Sequence, residues 1–180
     1  MVRKVARNVK ILLQNGTYRK LKDCKGRIPL TTVVQHLEPA LVQNLMTADI
    51  ADCKGKTALY YAALQGKNVV EMLIMQEASH KVRYNFRNTI FHVLAKTIKV
   101  SLLEYFVNTA RLNIEATNSD QQTPLLIAAE IDNLETFRFL LHSGRACKTA
   151  RYNDRKTQLH LAAVRSHDRI VAEILSWKTD

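Results

Sequence analysis

The apolar positions of this chain come in pairs of short helical stripes, one built on small residues and one on bulky ones, with polar turns between them. Residues 123–144, TPLLIAAEIDNLETFRFLLHSG, show one such pair. Thr123-Pro124 suits a helix start, because the hydroxyl can cap and proline is tolerated in the first turn. The Ala128-Ala129 pair then offers short side chains that let a neighbouring helix approach closely. Leu134, Phe137, Leu140 and Leu141 follow at spacings of three and four, which puts them on one face of a second helix. The pattern predicts a helical hairpin with one apolar side.

The hairpin recurs. Its threonine-led core reads GRIPLTTVV at 26–34, GKTALYYAA at 55–63, NTIFHVLA at 88–95, QTPLLIAA at 122–129 and KTQLHLAA at 156–163. The threonine or its substitute falls at Ile28, Thr57, Thr89, Thr123 and Thr157, at intervals of 29, 32, 34 and 34 residues. Bulky stripes follow three other cores as well: Val69, Val70, Leu73 and Ile74; Leu102, Leu103, Phe106 and Val107; Ile170, Val171, Ile174 and Leu175. Asp23 with Gly26 and Asp52 with Gly55 supply turn chemistry ahead of the first two cores. No unit of this length buries its apolar face alone, so the units must stack.

The stretches GKTALYYAALQGKNVVEMLI, QTPLLIAAEIDNLETFRFLLHSG and KTQLHLAAVRSHDRIVAEIL resemble ankyrin repeats over nearly the whole chain. The resemblance implies an all-α solenoid of helix-turn-helix units joined by short hairpin loops. It divides the chain into a partial N-terminal repeat at 1–22, where VKILLQNG is similar to a second helix with its closing glycine, and repeats at 23–51, 52–83, 84–117, 118–151 and 152–180. Departures are visible. The first full repeat lacks the alanine pair and has Pro39 placed to open its second helix. The second is one residue short between helices, and the third has Tyr84 and Arg87 where the family prefers Asp and Gly.

Composition narrows the class. The 180 residues are 47% hydrophobic and 24% charged, enough to bury a core, and disorder throughout is not expected. No apolar run approaches the roughly 18–20 residues that cross a bilayer, and residues 1–15 lack a signal-peptide cleavage site. Cys24, Cys53 and Cys147 form no C-x-x-C pair and leave an odd thiol, which suits a reducing compartment, cytoplasmic or nuclear. The net charge of +11 is uneven: residues 1–27 hold nine bases against one acid, +8, and the other 153 hold 18 against 15, +3.

Catalysis is not expected, because it needs a nucleophile, an acid–base pair or a metal cluster converging in one pocket. The candidate residues fall instead at repeat-equivalent positions. His92 and His160 both stand at the histidine of the ankyrin T-P-L-H motif, where the family's imidazole bonds turn backbone, and Cys24 and Cys53 share a hairpin position. His36, His80, His142 and His167 are scattered without the spacing of a zinc site, and no Walker loop or G-x-G-x-x-G occurs. No cofactor or metal is expected.

In the ankyrin family the hairpin tips and the outer side of each first helix line a protein-binding face. Carried over by position, that face comprises Cys24, Lys25 and Arg27; Cys53, Lys54, Lys56, Leu64 and Gln65; Asn85, Phe86, Asn88, Lys96 and Thr97; Ser119, Asp120, Gln122, Glu130 and Ile131; and Asn153, Asp154, Lys156, Val164 and Arg165. The first two hairpins are cationic and the fourth is acidic to neutral, so the expected partner is a protein with an acidic segment toward the N-terminal repeats. DQQTPLLIAAEIDNLETFRFLL with KTQLHLAA also resembles the repeats of inhibitor-of-NF-kappaB proteins, including truncated viral forms, which implies a Rel-type transcription factor as partner. A module of a larger scaffold, or a bacterial effector acting in a host cell, fits the same residues. The second class of function is nucleic-acid or anionic-membrane association through the basic N-terminal segment, where VRKVARNVKILL can form an amphipathic helix.

Overall fold

The computed structural model describes residues 20–29, 31, 34, 49–75, 78, 79, 81–109, 113–143, 145–151 and 155–177. The partial repeat and basic amphipathic helix expected before residue 20, the Pro39 helix start, Asn153 and Asp154 lie outside these. The chain divides into two compact units, residues 1–85 and 86–180. Among the described residues the first holds α1 (Ala58–Gln65) and α2 (Lys67–Met75). The second holds α3 (Ile90–Ala95), α4 (Val100–Thr109), α5 (Pro124–Glu130), α6 (Leu134–His142), α7 (Gln158–Val164) and α8 (Asp168–Ser176). Among the described residues no helix is long and apolar enough to cross a membrane, and no β-strand occurs.

Four first helices start where the sequence predicts. Thr57, Thr89, Thr123 and Thr157 are N-caps with extended backbone, φ between −85° and −106°. Thr123 accepts from the Leu126 amide, with Pro124 in the first turn. Thr89 and Thr157 form capping boxes with His92 and His160 instead of the usual acid or amide. The first-helix alanines are sealed: Ala62, Ala63, Ala128 and Ala129 are all fully buried. Ala163, at the equivalent position in α7, is exposed.

In the second unit α3 packs on α4 and α5, α5 on α6 and α7, and α7 on α8, while α6 touches α4 and α8. Contacts thus join neighbours along the chain, as stacked hairpins require. Phe91, Phe106 and Phe137 are fully buried at the centre of this stack, whereas Tyr105 and Phe139 are half-buried. The helix links differ as the sequence implied. Gly66 alone joins α1 to α2, while three residues, Ile131–Asn133, join α5 to α6.

The links are tied to the preceding repeat. Asn133 Nδ2 donates to the Ala95 and Thr97 carbonyls (3.1 and 2.7 Å), and His167, its equivalent in the next repeat, sends Nδ1–H to the Ala129 carbonyl (2.9 Å). Sequence alone left His167 without a role. Trp177, after α8, stacks on Phe137 (centroids 5.9 Å, planes 9° apart), with Lys148 Nζ 5.2 Å from its ring. Leu175 and Val164 remain 49% and 84% exposed there.

A left-handed residue closes each hairpin at the same repeat position: Gly26 (φ 71°), Gly55 (68°), Arg87 (56°), Gln121 (60°) and Arg155 (58°). Glycine is essential at the first of these. A Cβ on Gly26 would sit 2.7 Å from the Cys53 backbone nitrogen, whose amide donates to the Lys25 carbonyl (3.1 Å). Gly26→Ala is expected to cost about 2 kcal/mol from left-handed strain and from displaced backbone. A urea midpoint equal to wild type would show that the first hairpin does not rest on the second.

Candidate functional site: hairpin tips and first-helix ends

Three hairpins are built on one device. Asp23 Oδ1 accepts from the Lys25 and Arg27 amides (2.9 and 2.8 Å), Asp52 Oδ1 from Lys54 and Lys56 (2.8 and 2.9 Å), and Asn118 Oδ1 from Asp120 and Gln122 (both 2.9 Å). An Asx side chain so placed holds its own loop open for side chains at the tip. In the third hairpin Tyr84 takes this position. It is buried at 5% exposure and packs edge-on against Tyr60 (5.1 Å), so aromatic packing replaces the missing carboxylate.

In the first unit the tips of two hairpins form a recess of about 320 Å³, lined by Lys25, Arg27, Asp52, Cys53, Lys54, Lys56 and Tyr61. Its acids are engaged internally. Arg27 grips Asp23 Oδ2 (2.6 Å), and the Tyr61 hydroxyl donates to Asp52 Oδ2 (2.6 Å). The bond from the Arg27 guanidinium holds the Asp23 carboxyl below its ordinary value. At Asp52 burial pushes upward, but the Tyr61 hydroxyl and the Lys56 and Lys54 amides outweigh it, so this carboxyl too is lowered. Burial and the bond to Asp52 in turn push the Tyr61 hydroxyl far up. Both acids therefore stay ionised at neutral pH and spend their charge within the loops. Lys56 Nζ lies 4.5 Å from the Tyr60 ring and 5.9 Å from that of Tyr61. The adjacent tyrosines were not singled out from sequence, although the pair YY replaces aliphatic residues of the repeat core. At the end of α1, Leu64 is 41% exposed and Gln65 is half-buried.

In the second unit the sequence-selected residues split into two groups. Gln122 Nε2 donates to Glu130 Oε2 (2.7 Å), and Arg165 donates to Glu130 Oε1 (2.5 Å), so Gln122, Glu130 and Arg165 clamp the fourth repeat to the fifth. Asn88 accepts from Asn118 Nδ2 (3.3 Å) and is likewise part of the stack. Phe86, Lys96, Asp120, Ile131, Lys156 and Val164 reach solvent. Phe86 is 71% exposed and Ile131 45%. Phe86 is also left-handed (φ 59°), directly before left-handed Arg87, and its carbonyl accepts from the Ser119 amide (2.8 Å). Two consecutive non-glycine residues in that region are strained, and such strain persists only where the surroundings over-determine it. Four further exposed apolar residues of the two units, Leu21 (58%), Met75 (84%), Ile98 (77%) and Leu175 (49%), fall outside the face inferred from sequence.

The histidines have backbone work. His92 is fully buried: the Thr89 amide donates to Nδ1 (3.1 Å), so Nε2 carries the proton and donates to the Gln122 carbonyl of the next hairpin (2.9 Å). Cys24, Cys53 and Cys147 are exposed free thiols. Among the described residues no three His, Cys, Asp or Glu side chains gather as a metal site.

A family model described as ankyrin repeats (3 copies) matches residues 3–87 and 91–180. Among solved structures, the ankyrin repeat domain of Bcl-3, described as a unique member of the IkappaB protein family, matches with a TM-score of 0.80 and 22% sequence identity. The match covers 97% of this chain and 80% of that one. Ankyrin repeats typically serve as non-catalytic protein-interaction modules. With the capped first helices, stacked hairpins and family match together, this chain is a member of the ankyrin-repeat family, an all-α solenoid of paired helices.

Proposed function

We propose that this chain is a non-catalytic inhibitor or scaffold that captures a protein partner on its hairpin tips and first-helix ends, in the manner of the inhibitor-of-NF-kappaB proteins. A Rel-type transcription factor dimer is the first partner to test, which places the chain in the cytoplasm or nucleus. The observation that carries the reading is Phe86, a strained aromatic side chain held out at a tip. An exposed apolar anchor costs solubility unless a partner covers it, and aromatic anchors dominate binding where they fill a pocket. The fold likeness to Bcl-3 supports the choice of partner class.

The test is titration of the purified chain against a Rel-type dimer, with Phe86→Ala beside wild type. Truncation is expected to weaken binding by about thirtyfold or more, the range of a hot-spot residue, and to leave the thermal melt unchanged or slightly raised. Equal affinity of the two proteins would remove Phe86 as the anchor. No complex at micromolar concentrations would remove the Rel-type partner.

A further inference from the structure

We infer that the recess between the first two hairpins is a docking site for an acidic segment of a protein partner. The inference rests on the binding role proposed above and names the chemistry of one part of the occupant. Cations recur at two levels of the two hairpins, Lys25 and Lys54 at the tips and Arg27 and Lys56 just inside. The hairpins are locked together by the Cys53 amide on the Lys25 carbonyl (3.1 Å), which fixes both levels relative to each other. The turn acids of the two hairpins, Asp52 in the recess wall and Asp23 behind Arg27, are saturated by loop amides, Arg27 and the Tyr61 hydroxyl. They hold the loops in shape and leave Lys25 and Lys54, both exposed and with no salt bridge among the described residues, to receive carboxylates from outside. Charge-assisted contacts of this kind set register and on-rate.

Other polyanions fit less well. Nucleic acid would need open aromatic faces for base stacking, yet Tyr60 carries the Lys56 ammonium on its ring and the edge of Tyr84 beside it. An anionic membrane favours a flat basic patch with several apolar side chains to insert. Here the cations line a concavity, and Leu64, one helical turn beyond Tyr60, is the exposed large apolar side chain of α1. A peptide chain with carboxylates facing the lysines and an apolar group over Leu64 matches both features.

The experiment uses the full chain and a fluorescent peptide of about a dozen residues, rich in Glu and Asp around a central Leu, with its Gln/Asn counterpart as the neutral control. The variants are Lys25→Glu with Lys54→Glu, and Lys81→Glu with Lys20→Glu, the latter pair making the same charge change at exposed lysines that do not line the recess. Acidic-peptide binding is expected to fall at least about tenfold in the first variant and less than about twofold in the second, to weaken with salt, and to be absent for the neutral peptide. Circular dichroism confirms that both variants fold. Equal losses in the two variants would reveal only general attraction to a basic protein and would overturn the site. Tighter, Lys25- and Lys54-dependent capture of a single-stranded oligonucleotide or of phosphatidylserine-rich vesicles would assign it to another polyanion. A protein complex lost in Phe86→Ala but untouched by the Lys25 and Lys54 reversals would sink this inference while leaving the binding role intact.

Discussion

Phe106→Ala is expected to destabilise the second unit by about 3–5 kcal/mol, the range for deleting a large aromatic side chain from a close-packed interior. Phe106 is fully buried in α4 and meets Phe91 of α3 edge-on (centroids 6.4 Å, planes 76° apart), so one truncation loosens both helices of the third repeat. A stacked array has little capacity to refill such a hole, since each hairpin is packed only by its neighbours. Phe139→Ala is the control. Phe139 is half-buried on α6, and its loss is expected to cost about 1 kcal/mol. Urea unfolding followed by circular dichroism separates the two cases, and hydrogen exchange locates the damage in α3 and α4. A Phe106→Ala protein within about 1 kcal/mol of wild type would mean that the third repeat adds little to the array.

The second large effect is expected at His92. Its imidazole closes a capping box at Nδ1 and bridges to the Gln122 carbonyl at Nε2, with no exposure to water that could compensate a lost partner. His92→Ala leaves the Thr89 amide without its ring partner and takes from the Gln122 carbonyl one of two donors, the Asn118 amide (3.0 Å) remaining, at about 2–3 kcal/mol together with the lost packing. His160 makes the same box with Thr157, at 3.3 and 2.8 Å, but it is exposed and, among the described residues, bonds no second hairpin. His160→Ala is expected to cost about 1 kcal/mol, the value of a cap alone. The measurement is the difference between the two chemical midpoints. Equal shifts would show that the link between hairpins adds nothing beyond the cap.

The repeat was legible because its chemistry is periodic. Threonine caps, alanine pairs and bulky stripes recur at nearly constant intervals, and each follows from a local requirement of helix start or helix packing. Position within the array was not legible. His92 and His160 have one motif and different burial, and Ala163 has the sequence of Ala129 without its cover, because burial depends on what packs against a position and not on the motif it carries. Asn133 and His167 hid an equivalence, since an amide and an imidazole reach the same type of carbonyl with unlike side chains. The candidate face was partly legible. Exposure of Leu64, Phe86 and Ile131 matches their tip and groove positions, whereas the clamp of Gln122, Glu130 and Arg165 depends on side chains meeting across repeats and has no sequence period. The strain at Phe86 and Arg87 was invisible, as neither residue type announces a left-handed backbone.

The third hairpin lacks the Asx side chain that lets its neighbours hold their own loops, and Phe86 is held from outside by the Ser119 amide of the fourth. Its posture is borrowed. Opening of the fourth hairpin would therefore release the Phe86 tip while α3 and α4 still hold. A partner gripping that tip would then act as a clasp, delaying the fraying of repeats it never touches.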